Sequence, residues 1–448
     1  MAPSALIPER YTSAHRLIAD LYAGAIAAVD PVGTTTAALG LGRGEIRIGD
    51  SKIPVTGRIV VVGTGKAATR MAWAVERMLG DRVRGGLVVT KDGHRQAPLP
   101  DRIEVIEAAH PLPDERSLGA GERLLDLVAS VVPDDIVIAV ISGGGSALAE
   151  ALRPPLTLAD VRVVTDLLLR AGATIGELNL VRRTMSRLKA GGLLAASRAP
   201  VHALILSDVI GNDLGMIASG ATIPGPSLSE QARDATSVLR RYGLEERVPV
   251  AVAALLTRLA DSNNVASRPG VTRPVFVGDN ARAVSAVADG AVRHGLVAAR
   301  PADWQGREGE ASELGAAFVQ TCRAASDDVN VLVGGGEATV TVRGDGVGGR
   351  NTEFALAAAV ALAEGGQGWI VASLATDGQD ALTGAAGAIA DSGTIERVRA
   401  AGLDPNEALR NNDSLRCFDA AGGLLSPGPT GTNVNDLYIG VRVRDSDS

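Results

Sequence analysis

The residues best placed to do chemistry stand in six turns, each read as following a β-strand: GTGK (63–66), SGGGSA (142–147), SDVIGND (207–213), GDN (278–280), GGGE (334–337) and ATDGQD (375–380). Glycine lets backbone approach a ligand closely, and a following helix N-terminus offers free N–H groups and the positive end of a dipole. Several such turns at the carboxyl ends of strands suit a polyphosphate, although each alone also serves as an ordinary tight turn. Gly63-Thr64-Gly65-Lys66-Ala67-Ala68 fits the relaxed GxGxxA dinucleotide pattern, while the P-loop spacing GxxxxGK[ST] occurs nowhere. Four lysines (Lys52, Lys66, Lys91, Lys189) stand against forty arginines. An ammonium kept inside a glycine turn reaches a transferring phosphate as a point charge, which makes Lys66 the first candidate for a catalytic cation.

Asp208 follows the apolar run 201–206 and Asp377 follows 369–374, so both carboxylates are expected on the ligand-facing rim. Mg²⁺ takes one or two carboxylates plus substrate phosphates, and an alcohol nucleophile needs a carboxylate base; either Asp fits either role, or caps the next helix. Residues 179–194 read as one helix with Arg182, Ser186 and Lys189 on a single face, either an anion-holding stripe or a solvated basic face. Arg350 and Asn351 stand at the start of the apolar helix 354–363. A cation there opposes the helix dipole unless an anion neutralises it. The segment Pro427–Asn433 wraps a phosphate or forms a rigid loop.

These residues need two sets of strands to position them. Arg58–Val62, Gly86–Thr90, Ile103–Ile106, Ile136–Ile141 and Val201–Leu206 are mostly continuous apolar runs, as in a parallel sheet covered on both faces. A second series reads at Val275–Val277, Val329–Val333, Ala338–Val342, Trp369–Leu374 and Leu437–Val443. The fold class is α/β in two domains: an N-terminal Rossmann-like doubly wound sheet over 1–265, and a second α/β domain with a mixed sheet over 266–448.

Composition removes other classes. With 46% hydrophobic and 21% charged residues the chain is globular, and a formal charge of −7 supplies no field for nucleic acid. Two cysteines, Cys322 and Cys417, form no disulfide framework, and five histidines form no HExxH pair. No apolar run reaches the length of a membrane span, so a cytoplasmic protein is expected. Ser146 lies in GGGSAL and lacks the GxSxG elbow of a serine hydrolase.

Taken in order, GTGKAA, ISGGGSAL, RLKAGGL, SDVIGNDLGMIASGATIPGPS, GGGEATVTVRGDGVGGRNTEFAL, ATDGQDALTGAAGA and NNDS…GPTGTNVNDL resemble the glycerate 2-kinase family, whose C-terminal part is the MOFRL domain. The resemblance implies transfer of phosphate from ATP, with Mg²⁺, to the 2-hydroxyl of glycerate in a cleft between two domains. By motif, the family's functional positions fall on Lys66, Asp208, Arg350 and Asp377, with Asp208 and Asp377 as metal ligands. The nucleotide-contacting set expected on these segments is Gly63, Gly65, Ser142, Gly143, Gly144, Gly145, Ser146, Lys189, Asn351 and Glu353. No membrane or nucleic-acid partner is expected, and a homodimer stays open.

This chain departs from the family pattern at Asn212, Gly225 and Gly384, where carboxylates are usual, and at Ala221 and Leu382, where prolines are usual. Those changes bear on metal binding, pocket shape and the identity of the hydroxy acid. Two alternatives stand beside the kinase. The first is a nicotinamide-dependent hydroxypyruvate reductase, which needs an acid near the end of the second strand, where Thr90-Lys91-Asp92 stands. The second is a nucleotide-responsive binding module without turnover.

Overall fold

The computed structural model describes residues 9–262, 273–365 and 368–443. Two compact units emerge from its contacts: residues 31–277, and the N-terminal segment together with residues from Gly278 onward. The expected boundary near residue 265 lies outside the described residues. The assignment of the N-terminal segment to the first domain is corrected: helix α1 (Glu9–Ala28) packs in the second unit.

Residues 31–277 are built on strands β1 (Ile59–Thr64), β2 (Val83–Lys91), β3 (Ile103–Ala108), β4 (Ile136–Ser142), β5 (Val201–Leu206) and β6 (Val275–Gly278), in the order β3-β2-β1-β4-β5-β6. The β1–β5 neighbours all pair in parallel. Every residue of β1, β4 and β5 is buried, as their mostly apolar runs require when helices cover both faces; His202 in β5 is buried with them. The chain moves outward from β1 through β2 to β3, then returns to place β4 on the other side of β1. That reversal opens a crevice at the carboxyl ends of β1 and β4, where ligands of such sheets bind. A small antiparallel sheet of Leu39–Leu41, Glu45–Ile48 and Ser51–Pro54 belongs to the same unit.

The second unit holds a mixed sheet: β7 (Ala298–Ala299), β8 (Gln305–Glu310), β9 (Val331–Thr339), β10 (Trp369–Ala375), β11 (Gly387–Ala390), β12 (Leu424–Leu425) and β13 (Asp436–Arg442). Its order is β7-β9-β13-β10-β11-β12, with β8 also on β9. Strand β13 runs antiparallel between β9 and β10. The sequence placed GGGE in a turn between two strands; instead Gly334–Glu337 continues β9, and residues 340–349 form no strand. The glycines there admit close neighbours. A Cβ on Gly336 would stand 1.9 Å from the Arg307 carbonyl oxygen of β8, and one on Gly335 would meet Asn280.

Helix α1 is anchored in this unit by small residues and hydrogen bonds. Gly290, in helix α2 (Asn280–Arg293), leaves room for Leu21; Tyr22 Oη donates to the Ala375 carbonyl at 2.8 Å, and Thr432 Oγ1 to that of Val29 at 2.9 Å. The core joins Trp304, Phe318, Phe354 and Tyr438, with Phe354 and Tyr438 stacked at 4.6 Å. No single described helix is long and apolar enough to cross a membrane.

Candidate active site

In the parallel-sheet unit the crevice between β1 and β4 is lined by the two predicted glycine turns, and backbone bonds tie them together. The Lys66 N–H donates to the Gly143 carbonyl at 2.9 Å, and the Ala67 N–H donates to Ser142 Oγ at 3.0 Å. Gly65, at φ +138°, adopts a backbone that other residues resist, and its Cβ would strike Ser142. Gly63 is equally constrained, since a Cβ there would lie 2.2 Å from the Val140 carbonyl oxygen. Gly144 turns at φ +81° into the short helix Gly145–Leu148, and Ser146 Oγ bonds Ser219 Oγ at 2.7 Å. A Cβ on Gly143 would stand 2.0 Å from Asp208 Oδ2, so the carboxylate after β5 lies directly against the SGGGS backbone. Lys66, Ser142–Ser146 and Asp208 therefore share one rim, with Lys66 and Asp208 both half-buried.

Lys189 is placed differently. The expected continuous helix over 179–194 ends at Met185, with Ser186 extended at φ −101°, ψ 145°. Ser186 and Lys189 nevertheless meet, at Glu150: Ser186 Oγ donates to its Oε1 at 2.6 Å, and Lys189 Nζ pairs with its Oε2 at 2.5 Å. Both charged side chains are 2% exposed, and burial pulls the Lys189 ammonium below its usual range. Lys189 is thus committed to an internal ion pair rather than displayed on a stripe. The Ala190 N–H reaches the carbonyl of Ser219, the residue whose hydroxyl bonds Ser146, at 2.9 Å.

In the mixed-sheet unit, helix α3 (Arg350–Ala363) starts beside β9 and β13. The Arg350 guanidinium bridges Asp436, at 2.9 and 3.0 Å, and Glu337, at 2.7 Å, and stays 30% exposed. The two acids hold its pKa above the usual arginine value despite burial. The anion that the helix dipole calls for is therefore supplied first by the protein itself. Asn351 is fully buried: its amide donates to Asp436 at 3.0 Å and its carbonyl accepts from Ser373 Oγ at 2.6 Å. Glu353 is buried on the Asn412 amide at 3.0 Å, and burial raises its pKa. Asn351 and Glu353 brace α3 from within instead of facing outward.

Asp377 follows β10 by two residues and is half-buried; its Oδ1 accepts from the Gln379 N–H at 3.0 Å. Ala375 is the register partner of Asp436, so Asp377 stands on the same sheet edge as the Arg350 pair.

The sequence reading passed over several acids. Asp380, 2% exposed, accepts from the N–H groups of Asn351 (3.0 Å) and Thr352 (2.8 Å) and from Thr352 Oγ1 (2.9 Å), which caps α3 with a distant carboxylate. Asp436 has no exposure, and burial pushes its carboxyl up to about 7 against the pull of Arg350. Glu150 was missed as well. Acids inside otherwise apolar or Gly/Thr-rich stretches, as in ATDGQD and TNVNDL, were the available signal.

Four departures from the family pattern have recognisable local settings. At Gly225 a Cβ would stand 2.4 Å from the Ala190 carbonyl oxygen, so this backbone excludes a side chain. Leu382 is 89% exposed, and Gly384, at φ +68°, faces open space. Asn212 adopts φ +56° beside Gly211 at φ +75°.

Among the described residues no group of three or more His, Cys, Asp and Glu side chains is arranged to hold a metal ion. A Mg²⁺ site completed by substrate phosphates needs only one or two carboxylates, and the half-buried Asp208 and Asp377 fit that donor chemistry.

A family profile described as a domain of unknown function (DUF4147) matches residues 17–257, and one described as the MOFRL family matches residues 330–436. The D-glycerate 2-kinase of Thermotoga maritima is 40% identical over 394 residues, which cover 86% of this chain and 91% of that protein. The chain belongs to the glycerate 2-kinase family. The crystal structure of glycerate kinase from Thermotoga maritima superposes with a TM-score of 0.83 at 36% identity, over 96% of this chain and all of that one. An Agrobacterium vitis protein provisionally named a hydroxypyruvate reductase is also 40% identical, over 85% of this chain and 86% of that protein. The acid that the reductase alternative needs for a ribose at the end of β2 could only be Asp92. Lys91 ends the strand, and Asp92 is held by both Arg116 terminal nitrogens at 2.7 and 2.8 Å.

Proposed function

We propose that this chain transfers the γ-phosphoryl group of ATP to the 2-hydroxyl of D-glycerate, giving 2-phosphoglycerate and ADP. The observation that carries the reading is the rim at the β1/β4 switch point, where Lys66 and Asp208 flank the SGGGS backbone. Phosphoryl transfer asks a protein mainly for positioning and charge neutralisation. Backbone N–H groups of the two glycine turns and the Lys66 ammonium serve the phosphates. Asp208 takes the proton of the attacking hydroxyl while the new O–P bond forms and the β,γ-bridging P–O bond breaks. Asp208 or Asp377 would hold Mg²⁺, which when bound would neutralise phosphate charge. Arg350, fixed by Asp436 and Glu337, keeps an exposed part of its guanidinium that suits an anionic group. The reading places the reaction in the cytoplasm, where the two buried free thiols, Cys322 and Cys417, stay reduced.

The test is a coupled ADP-release assay on the purified chain with ATP, Mg²⁺ and D-glycerate, the product position being assigned by phosphorus NMR. Turnover that depends on D-glycerate is expected. Absence of ADP release with D-glycerate, or NADH consumption with hydroxypyruvate and no need for ATP, overturns the assignment.

A further inference from the structure

The distribution of the four lysines marks a second feature of the parallel-sheet unit. Lys52 lies 3.9 Å from Glu45 and Lys189 is buried on Glu150. Among the described residues no ion pair involves Lys66 or Lys91, and these two meet at one corner of the sheet. Lys91 ends β2, Lys66 follows β1 by two residues, and His110 follows β3 by two; the three strands are neighbours in the order β3-β2-β1. The His110 ring lies against the glycine turn: a Cβ on Gly144 would stand 3.1 Å from its Cδ2 and Nε2 and 3.5 Å from Lys66 Cγ. His94 braces the corner. Its Nδ1 donates to the Lys66 carbonyl at 3.2 Å, and Thr90 Oγ1 donates to the same oxygen at 3.3 Å.

Two acids beside Lys91 have partners of their own. Asp92 carries the bidentate pair with Arg116, and Glu107 Oε1 accepts the N–H groups of Gly93 at 2.8 Å and Arg95 at 3.2 Å. A chain of net charge −7 thus keeps two ammonium groups and an imidazole together at a strand-end rim, which they share with the Asp208 carboxylate lying against Gly143.

We infer that Lys66, Lys91 and His110 form an anion subsite at the β3-β2-β1 corner, which takes a phosphoryl or carboxylate group of the ligand. The inference rests on the kinase reading for its choice of ligands and adds Lys91 and His110 to the residues that contact them. Burial, with Lys66, Lys91 and His94 around the ring, holds the His110 pKa down to about 4, so at neutral pH it offers one N–H donor and no charge. The charge is carried by the two lysines.

Calorimetric titration of the full chain with ATP, and separately with D-glycerate, tests the subsite in wild type, Lys91→Gln, His110→Ala and His110→Gln. Lys91→Gln and His110→Ala are expected to weaken one ligand roughly tenfold or more, as for a lost hydrogen bond to a charged group, and His110→Gln to restore part of the loss. Loss confined to ATP identifies the group as phosphoryl; loss confined to D-glycerate identifies it as carboxylate. Both variants binding both ligands within twofold of wild type overturns the subsite, as does a wild type that binds neither. Ring ¹⁵N spectra of the wild-type protein, which has five histidines, give a readout that needs no variant. The His110 signal is expected to move on ligand addition, and its failure to move overturns the inference. Binding without ADP release sinks the kinase reading and leaves the subsite standing; turnover with unchanged binding in the variants does the reverse.

Discussion

The two units solve the same problem, how to keep polar groups at strand ends over an apolar interior, by opposite means. In the parallel-sheet unit the rim at β1 and β4 is stripped to glycine, and hydrogen bonding passes through backbone, as in Lys66 to Gly143 and Ala67 to Ser142. The core beneath it is aliphatic. In the mixed-sheet unit the rim is filled with buried acids: Asp380 and Asp436 hold the start of α3, Arg350 and Asn351, over a core that gathers six aromatic residues. A glycine rim leaves space that a ligand can enter. A carboxylate rim is already occupied, so its cation is oriented before any ligand arrives.

The largest contrast should appear in activity. Asp208→Asn is expected to lower kcat about 10²–10⁴-fold if Asp208 is the base, whereas Asp377→Asn, if it serves only metal binding, should be rescued in part by raised Mg²⁺. Steady-state ADP-release kinetics over a Mg²⁺ series separate the two, and equal falls that metal does not rescue would break the division of roles. Next comes stability: Glu150→Ala leaves Lys189 as an uncompensated buried charge and should cost about 3–5 kcal/mol. Glu150→Leu combined with Lys189→Met should recover much of that, as read by urea unfolding. Asp380→Ala in the other unit orphans the N–H groups of Asn351 and Thr352 at the start of α3, at roughly 1–3 kcal/mol for each buried donor left unpaired. Its effect should localise to α3 and β10 in hydrogen exchange and spare β4.

The smallest effect is the most discriminating, because its sign differs between the units. His110 and His202, both in the parallel-sheet unit, have pKa values lowered by burial to about 4 from an ordinary 6.5. Between those values the unfolded chain binds more protons, so this contribution is present above pH 6.5 and lost as pH falls through 4. Asp436 runs the other way. Its pKa, raised from 3.8 to about 7, gives a contribution that is present below pH 4 and lost as pH rises through 7. Hydrogen exchange corrected for intrinsic rates, compared at pH 4.5 and 7, should show β4 losing protection relative to β10 on acidification. Parallel behaviour of the two strands would remove the contrast.

Strands were the most legible part of the sequence because burial on both faces leaves a nearly continuous apolar run, as at Ile136–Ile141 and, with only His202 interrupting, Val201–Leu206. The positions of Asp208 and Asp377 just beyond strands followed directly. Helical spacing misled at 179–194, where periodicity cannot register that Ser186 turns extended to reach Glu150. The dipole at Arg350 correctly required an anion, yet side chains from β9 and β13 supply it, and long-range partners leave no local spacing to read. GGGE resembled a turn because glycine serves both turns and close strand packing; only the neighbouring β8 distinguishes them. Helix α1 has an apolar face, but a face does not name its partner.

That last assignment bears on synthesis. Between α1 and the remainder of its own unit lies residue span 31–277, so the helix leaves the ribosome long before the surface it covers. At translation speeds of about 5–20 residues per second the wait is on the order of 10–50 s, ample time for the intervening unit to fold first. Ile18, Leu21 and Ala25, nearly solvent-free in the finished molecule, stay wet throughout that delay. The apolar face of α1 therefore waits in the nascent chain for partners that are made only after residue 277.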